Sequence, residues 1–313
     1  MTIKKILLLG GSGFIGTSIA EQLTARGHFV TVPTRNRERA KHLLILPTVD
    51  VVDADVHDPQ VLLELMRQHD AVINLIGILH GDFEREHVAF PKLVAESCVA
   101  AGVQRLIQMS ALNADISAPS NYLVSRGRGE AAVWAIANAN PSLHVTVFQP
   151  SVVFGEHDSF LNMFADLVRL FPVIPLGSPK AQFQPVWVED AARAVAASMA
   201  MSETHGKTYE LVGPKVYTLR QLLEMVIAFT GKKRLVLGLG AGLSKLQAIV
   251  FECLPGKLIT RDNLRSMSVP STSATPFPAL FGSASAMESV VRGYLQGGTG
   301  RARYQAFRDG AGR

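Results

Sequence analysis

The sequence predicts an α/β protein built on a doubly wound parallel sheet, with a smaller α+β region toward the C-terminus. Short apolar runs typical of buried strands alternate with helical patterns through the first half of the chain. These runs are apolar at consecutive positions, as in strands that are covered on both faces. A glycine-rich turn follows the first run, at 6–9, and a helical pattern follows the turn.

The elements can be placed in order along the chain. The predicted strands are at 6–9, 28–33, 49–54, 71–76, 105–109 and 144–148. The predicted helices are at 17–26, 37–45, 59–68, 86–101, 122–139, 159–170, 188–201 and 218–230. Beyond Pro150, segments rich in proline and glycine interrupt the pattern. We therefore expect a core domain at 1–155, a smaller substrate or partner region interleaved with it at 156–268, and a loop-rich basic tail at 269–313.

Composition narrows the class of protein. The chain has 313 residues, of which 48% are hydrophobic, which is enough for a large core. The cysteines, Cys98 and Cys253, are too few for a disulfide framework, which favours a reducing, cytoplasmic compartment. The net charge is +5, but no aromatic platform accompanies the basic residues, so we expect no nucleic-acid partner. No uncharged apolar run approaches the roughly 20 residues that span a bilayer.

The glycine-rich turn predicts a dinucleotide site. It consists of Gly10-Gly11-Ser12-Gly13-Phe14-Ile15-Gly16. A strand, a glycine turn and a helix in this order place a pyrophosphate at the N-terminus of the helix, where N–H groups lack partners and the dipole favours an anion. The alternative is a turn of purely structural use. The spacing G-x-x-G-x-x-G is not the commoner G-x-G-x-x-G.

The end of the second strand indicates which dinucleotide binds. Sites that prefer NAD place a carboxylate there to bind the ribose hydroxyls. This chain has Arg35, followed by Arg37, and a guanidinium can bind a 2′-phosphate. We therefore predict NADP(H), with NAD(H) still open if Arg35 belongs only to a solvated basic loop.

Two further strand ends supply candidate contacts. Asp55 and Val56 follow the third strand, where a carboxylate and backbone could recognise the adenine amino group. Helix capping is the alternative for this segment, since Asp58-Pro59 has the pattern of an N-cap followed by proline. Leu75, Ile76 and Gly77 follow the fourth strand, and the glycine there permits close approach of a ribose.

Longer segments resemble a known superfamily. The carrying segments are GGSGFIG at 10–16, INLIGIL at 73–79, SALNAD at 110–115, QPSVVFGEHDSFLNMFADL at 149–167, PVWVEDAARAV at 185–195, GKTYELVGP at 206–214 and ITRDNL at 259–264. With these, the chain resembles the short-chain dehydrogenases/reductases of the extended or atypical kind. More narrowly, it is similar to the family of nucleotide-binding accessory subunits of respiratory complex I (alpha subcomplex subunit 9) and its bacterial relatives. The resemblance covers about residues 3–268 and implies an NAD(P)-binding Rossmann fold.

The resemblance also implies a catalytic set and a departure from it. The superfamily uses serine, tyrosine and lysine, and the matching positions here are Ser110, Tyr122 and Arg126. Arginine keeps the positive charge that would lower a tyrosine pKa, but it cannot release a proton. In relatives the loop after the sixth strand lies against the nicotinamide, which adds Gln149, Pro150, Ser151 and Val153.

Two histidines are candidates for a metal site and for a contact with the nicotinamide. Glu156-His157-Asp158 resembles a metal cluster in composition, but adjacent side chains do not converge on one point. We expect no metal there, and Asp158 is placed to cap the next helix. His80 follows the fourth strand, where a solvent-exposed loop position competes with a place beside the nicotinamide.

Two functions remain open at this stage. The first is an NADP-dependent reductase or an epimerase/dehydratase-like enzyme acting on a small or quinone-like substrate. The second is a catalytically silent accessory or assembly protein that holds its nucleotide beside respiratory-complex subunits. An amphipathic stretch at 242–254 either covers the core of its own domain or makes a peripheral contact at the inner face of a membrane.

Overall fold

A computed structural model describes residues 4–252 and 260–295 of the chain. Its central element is a seven-stranded sheet in which every neighbouring pair is parallel. The strands are β1 (Lys5–Leu9), β2 (Phe29–Thr34), β3 (Val49–Asp53), β4 (Ala71–Asn74), β5 (Arg105–Met109), β6 (His144–Pro150) and β11 (Lys207–Leu211). The order β11-β6-β5-β4-β1-β2-β3 reverses direction beside β1. The predicted doubly wound parallel sheet is confirmed.

Helices cover both faces of this sheet. They are α1 (Phe14–Ala25), α2 (Pro59–Met66), α3 (Phe90–Ala101), α4 (Asn121–Ala139) and α6 (Val188–Ser198). On one face, α2, α3 and α4 enclose a fully buried cluster that includes Leu7, Leu9 and Val72 of the sheet. Because strand side chains alternate, Ile6 and Leu8 point to the other face, and both are also fully buried. Alpha-helices α1 and α6 pack against each other in this part of the chain.

The chain divides into two compact units, each built from segments that are not continuous in sequence. The first unit contains 4–151, 188–212 and 273–283, and the second contains 152–187, 213–252, 260–272 and 284–295. The first unit therefore holds the whole seven-stranded sheet. After residue 151 the chain returns to the first unit twice, at 188–212 and at 273–283.

The second unit is built from small sheets and amphipathic helices. Its strands are β7 (Val153–Phe154), β8 (Val173–Leu176), β9 (Gln182–Phe183), β10 (Val186–Trp187), β12 (Tyr217–Thr218) and β13 (Leu235–Gly238). Its helices are α5 (Ser159–Leu170), α7 (Leu219–Thr230), α8 (Ala241–Glu252), α9 (Arg261–Ser266) and α10 (Met287–Leu295). The strands pair as β7 with β10, β8 with β13 and β9 with β12. Its core packs α5 and α7 together around Phe164, Leu222 and Val226.

Several elements differ from their sequence-based expectations. The predicted helix at 37–45 is a 3-10 helix, Arg37–Ile45, and the one at 86–101 begins with a π-helix, Glu84–Ala89. The composition beyond 268 predicts loops, yet α10 forms there because apolar Met287 and Val291 are buried in the core of the second unit. Cys98 is buried, and burial raises the pKa of its thiol. Cys253 and the tail beyond 295 lie outside the described residues.

Candidate functional site

The carboxyl ends of the parallel strands meet at one edge of the sheet, and the predicted site residues of the first unit lie there. The glycine turn between β1 and α1 forms the tightest part of this edge. Gly10 has a φ of +80°, which favours glycine, and a Cβ on Gly16 would meet the backbone of Gly11 at 2.6 Å. Gly13 is the N-cap of α1 and has no side chain to accept from the first N–H groups. The start of α1 is thus left free to bind an anion.

The loop after β2 presents Arg35 to solvent. Thr34 Oγ1 accepts a hydrogen bond from Asn36 N at 3.1 Å, and Asn36 Oδ1 accepts one from Arg39 N at 3.3 Å. These two bonds turn the chain from the strand into the 3-10 helix and fix the backbone on either side of Arg35. Arg35 is exposed, and its charge acts on the nearby Asp55 carboxylate.

The loop after β3 combines a turn and a cap. Asp55 Oδ1 accepts a hydrogen bond from His57 N at 3.1 Å, which with the charges of His57 and Arg35 lowers the pKa of the Asp55 carboxyl. Helix α2 is capped by Asp58, whose Oδ1 accepts from Gln60 N at 2.8 Å, with Pro59 in the first turn. The capping role therefore belongs to Asp58. The exposed carboxylate of Asp55 is not used by the helix.

The segment after β4 is held by buried amides. Asn74 Nδ2 donates to Gln108 Oε1 at 2.9 Å, and Asn74 Oδ1 accepts from Ile76 N at 3.2 Å. Both amide side chains are buried, and they connect the ends of β4 and β5. A Cβ on Gly10 would lie 3.3 Å from Ile76 N, so the glycine turn packs directly on this segment.

Arg126 of α4 occupies the space above Gly77. A Cβ on Gly77 would lie 2.7 Å from the guanidinium carbon of Arg126, so a larger residue at position 77 would require the end of the arginine side chain to shift. Arg126 Nη1 donates a long hydrogen bond of 3.4 Å to Met109 O at the end of β5. Its buried Nε has no hydrogen-bond partner among the described residues. The arginine therefore bridges the ends of β4 and β5 and keeps one buried donor unused.

The structure brings Tyr122 close to this arginine. The guanidinium carbon of Arg126 lies 5.6 Å from the centroid of the Tyr122 ring, one helical turn earlier on α4. Ser110 directly follows Met109, and its main-chain N donates to Phe148 O at 2.7 Å. The buried Ser110 Oγ has no hydrogen-bond partner within the described part of the chain. This hydroxyl can therefore still bond to a water molecule or to a ligand.

A buried histidine connects the tyrosine helix to the β4 loop. His87 Nε2 accepts a hydrogen bond from Ile78 N at 3.0 Å, so the proton is on Nδ1, which lies 2.9 Å from Ser125 Oγ. Ser125 Oγ in turn donates to Tyr122 O at 2.8 Å. The His87 ring also packs edge-on against the Tyr122 ring, with centroids 5.5 Å apart. Burial and the charge of Arg126 lower the pKa of His87 to about 3, so this imidazole is neutral.

Two glycines let α4 approach its neighbours closely. A Cβ on Gly129 would collide with the carbonyl group of His87, and one on Gly127 would lie 2.7 Å from the backbone of Asp115. Helix α4 therefore packs tightly against the π-helix on one side and against the β5–α4 loop on the other. This packing fixes Tyr122 and Arg126 relative to the strand ends.

Of the predicted site residues in the loop after β6, some belong to the first unit and one belongs to the second. Gln149 Nε2 donates to Glu130 Oε2 of α4 at 2.8 Å, so this amide is engaged within the protein. Pro150 O accepts from Leu112 N, and Ser151 N donates to Leu211 O, both as main-chain bonds of the sheet edge. Val153 belongs to the second unit, where β7 pairs with β10.

The remaining sequence candidates have structural roles or none. Asp158 caps α5, as predicted, because its carboxylate accepts main-chain hydrogen bonds from Gly155 and Leu161. His80 lies exposed in the loop after β4. Within 4–252 and 260–295 no three His, Cys, Asp or Glu side chains are grouped to hold a metal ion.

The site as a whole fits a dinucleotide. The start of α1 offers unused N–H groups, Arg35 offers an exposed charge, and Ser110 and Arg126 offer buried polar atoms without partners. Sequence reasoning missed His87, because a single histidine inside an apolar helical pattern gives no sign of a π-helix. It also missed the Asn74–Gln108 pair, whose members are 34 residues apart.

Comparison with known sequences identifies a family match. The NAD dependent epimerase/dehydratase family matches residues 6–211. The NADH dehydrogenase [ubiquinone] 1 alpha subcomplex subunit 9 of Arabidopsis thaliana is 33% identical over 70% of this chain and 56% of its own length. The subunit of the same name from Rattus norvegicus is 28% identical over 87% of this chain and 74% of its own length. The chain thus spans little more than half the length of the Arabidopsis relative.

An enzyme and solved structures are also similar. The 2-alkyl-3-oxoalkanoate reductase of Stenotrophomonas maltophilia is 25% identical over 74% of this chain and 77% of its own length. A nucleoside-diphosphate-sugar epimerase from Staphylococcus aureus has a TM-score of 0.72 at 17% identity, covering 93% of this chain and 99% of that chain. At that identity the structural likeness shows the fold alone.

Proposed function

Because the chain belongs to the NAD dependent epimerase/dehydratase family, whose members bind NAD(P), we propose that its first unit binds NADP(H) in preference to NAD(H). The observation that carries the preference is Arg35. It replaces the carboxylate that NAD sites place at the end of the second strand, and it is exposed with its backbone fixed on both sides. A guanidinium binds a phosphate through two parallel hydrogen bonds.

The other contacts follow from position along the strand ends. The N-terminus of α1 would hold the pyrophosphate, with Gly10 and Gly16 keeping the backbone close. Asp55 and the main chain of Val56 would face the adenine, and Leu75, Ile76 and Gly77 the ribose. When bound, the nicotinamide supplies a hydride donor or acceptor. The protein residues bind and orient it.

We propose that the nucleotide is held rather than rapidly turned over. Proton relay from a catalytic tyrosine needs a neighbour that can exchange a proton, and Arg126 stands where the superfamily has lysine. A guanidinium does not relay protons as an amine can, and the contact with Gly77 together with the bond to Met109 holds this one in place. This arrangement supports binding and charge stabilisation more than proton transfer.

A second candidate function is supported by Ser110. Its buried hydroxyl lacks a partner and lies next to Met109, which Arg126 contacts. In an NADP-dependent reductase or epimerase/dehydratase-like enzyme, this hydroxyl would orient a carbonyl oxygen. The carbonyl carbon would accept a hydride from the reduced nicotinamide, and the oxygen a proton from Tyr122, giving an alcohol and the oxidised nucleotide.

Partners and location are proposed from the relatives. Subunits of NADH dehydrogenase [ubiquinone] complexes are among them, so we propose that this chain works beside respiratory-complex subunits or on a quinone-like substrate. Helices long and apolar enough to cross a bilayer are not found in the described part of the chain. We propose a cytoplasmic location with peripheral contact at the inner face of the membrane, through the region around 242–254.

Nucleotide retention and turnover test this proposal together. NADPH is added to the purified full-length protein, its binding is measured by fluorescence, and its oxidation is followed with carbonyl and quinone substrates. We expect tight binding and little oxidation. Rapid, substrate-dependent oxidation would establish the enzymatic alternative, and the absence of any binding would overturn both.

A further inference from the structure

The second unit exposes a set of large apolar side chains that its own fold does not cover. We call this set the apolar face; it consists of Leu170, Phe171, Val173, Pro175, Leu235, Leu237, Leu243, Leu246 and Ile249. Leu170 is 71% exposed, Leu243 59% and Leu246 57%. Scattered exposed leucines are ordinary, but a contiguous apolar surface marks an interaction site.

The pairing of β8 with β13 explains why four of these side chains lie together. In the parallel register, Leu235 is opposite Val173 and Leu237 is opposite Pro175, and all four are exposed. The residues between them in β8, Ile174 and Leu176, are buried in the core of the unit. This two-stranded sheet is therefore apolar on both faces, and only one face is covered.

Helix α8 adds three exposed apolar side chains of the same unit. It packs on the end of β8 through small and polar residues, since Gln247 Nε2 donates to Pro175 O at 2.8 Å and Ser178 N donates to Ser244 Oγ at 3.4 Å. Ser244 and Ala248 are buried, while the larger Leu243, Leu246 and Ile249 are exposed. The sequence favoured a helix that covers the core of its own domain. The structure reverses this for these three side chains, because the small residues make the internal contact.

The charged residues within the two segments that form the apolar face are all basic. The two segments that form it, 169–180 and 231–249, contain six basic residues and no aspartate or glutamate; the basic residues are Arg169, Lys180, Lys232, Lys233, Arg234 and Lys245. Arg169 pairs with Asp166, and Arg234 donates to the carbonyl of Val168. The four lysines form no ion pair with any residue that the structure describes.

Exposed apolar side chains next to unpaired lysines indicate which kind of partner binds the apolar face. A second copy of the chain would bring four more unpaired lysines against these four, and the two segments contain no carboxylate to offset them. An anionic bilayer surface meets both requirements, since it takes apolar side chains into the acyl boundary and holds lysines at the headgroups. We propose that the apolar face docks on a membrane surface rich in anionic phospholipids, through insertion of the α8 leucines and contact of Lys232 and Lys233 with phosphate. This inference deepens the peripheral location proposed above.

Vesicle sedimentation of the full-length protein tests the inference. We expect binding to vesicles of phosphatidylcholine with phosphatidylglycerol, weaker binding at higher ionic strength, and little binding to phosphatidylcholine alone. Lys232→Gln with Lys233→Gln should weaken binding about thirtyfold, because each basic residue near such a surface contributes about fivefold. Leu243→Gln with Leu246→Gln should weaken it by at least about tenfold.

Two matched control variants assign the effect to this face. Leu44→Gln with Ile45→Gln replaces an exposed apolar pair of the first unit, and Arg301→Gln with Arg303→Gln removes two charges from the tail. Both should bind vesicles as the unmodified protein does. Equal loss in either control, no binding of the unmodified protein, or leucine-dependent self-association that replaces lipid binding would overturn the proposal.

The nucleotide is measured on the same samples. NADPH affinity should be unchanged in all four variants, because none of these residues belongs to the nucleotide site. Vesicle binding without NADPH binding would uphold the docking surface and overturn the nucleotide proposal. NADPH binding without vesicle binding would do the reverse.

Discussion

The guanidinium of Arg126 lies directly over Gly77, so closely that a Cβ at position 77 would be 2.7 Å from its central carbon. The arginine that replaces the lysine of the superfamily is thus accommodated by a glycine 49 positions earlier in the chain. The pair joins the end of β4 to α4, where the ribose and the catalytic tyrosine are expected. Arg126 in turn lies 5.6 Å from the centroid of the Tyr122 ring, so the contact is next to the expected site.

The first prediction concerns that pair. Gly77→Ala should weaken NADPH binding by less than about tenfold, because the added methyl group has only to displace the end of the flexible Arg126 side chain. Replacing Arg126 by alanine in the same chain should recover much of the loss, since the added methyl group then has room. A thermodynamic cycle over the four proteins measures the coupling. Losses that simply add would show that Gly77 and Arg126 are independent.

The second prediction concerns turnover. Arg126→Lys should increase NADPH oxidation with carbonyl or quinone substrates, because lysine can exchange a proton and keeps the positive charge beside Tyr122. Stopped-flow absorbance of the reduced nicotinamide measures the rate. Tyr122→Phe in the lysine variant is the control and should abolish the gain. An unmodified protein that turns over as fast as the lysine variant would contradict the proposed silence of Arg126.

The third prediction concerns the phosphate of the cofactor. Arg35→Ala should weaken NADPH binding by about tenfold to a hundredfold and leave NADH binding nearly unchanged, because only NADPH carries the 2′-phosphate. Lys41→Ala is the matched control, since Lys41 lies on the adjoining 3-10 helix and pairs with Glu38. Isothermal titration measures the affinities of the unmodified protein and of both variants for NADPH and for NADH. A parallel loss for both nucleotides would assign Arg35 to general attraction rather than phosphate recognition.

The fourth prediction concerns acid stability. Burial and the charge of Arg126 lower the pKa of His87 from 6.5 to about 3. Between these two pH values the imidazole is protonated in the unfolded chain and neutral in the folded chain. The unfolding free energy should therefore fall with decreasing pH through this window, by up to about 1.4 kcal/mol per pH unit from this residue. His87→Gln should flatten the dependence between about pH 6 and pH 4 in urea unfolding.

The control for this slope is His80→Gln, at an exposed position in the loop after β4. It should leave the pH dependence as it is. His205, whose pKa burial and Arg105 lower to about 4, contributes a separate share that remains in both variants. An unchanged slope in His87→Gln would contradict the neutral, buried assignment of this imidazole.

The fifth prediction concerns the packing of α4. Gly129→Ala should destabilise the protein by about 1–3 kcal/mol, because its Cβ would strike the His87 carbonyl in the π-helix. Gly293→Ala is the matched helical control: its Cβ would meet nothing within 4 Å, so stability should rise by up to about 1 kcal/mol. Urea unfolding measures both. A neutral Gly129→Ala would show that α4 can shift away from the π-helix.

The sequence was sufficient for the elements whose pattern is local. Strand β5 and helix α5 have their predicted bounds, because Leu106, Ile107 and Met109 mark the strand and a clear 3.6-residue period with a capping aspartate marks the helix. Strand β11 was not predicted, since its first four residues, Lys207 to Glu210, are only partly covered and carry no apolar run. The pattern of α8 was visible, but the choice of buried side was not, because that choice depends on Pro175 of strand β8 and on Gly177, which follows this strand.

Candidate site residues could be proposed from the sequence where their place depends on a single strand or helix. The glycine turn, Arg35, Ser110 and Tyr122 each follow an element that the sequence locates. The Gly77–Arg126 contact, the His87 hydrogen bonds and the Asn74–Gln108 pair depend on which strands become neighbours. Such contacts between residues far apart in the chain give no pattern in a single sequence.

The nucleotide that the protein carries tests the central claim most directly. The purified full-length protein is denatured, and the released nucleotide is identified by chromatography and mass spectrometry, with direct titration of any empty fraction by NADPH and NADH. The account predicts NADP(H) in the released material and at least about tenfold tighter binding of NADPH than of NADH. Equal affinities, or no bound nucleotide together with no binding on titration, would contradict it.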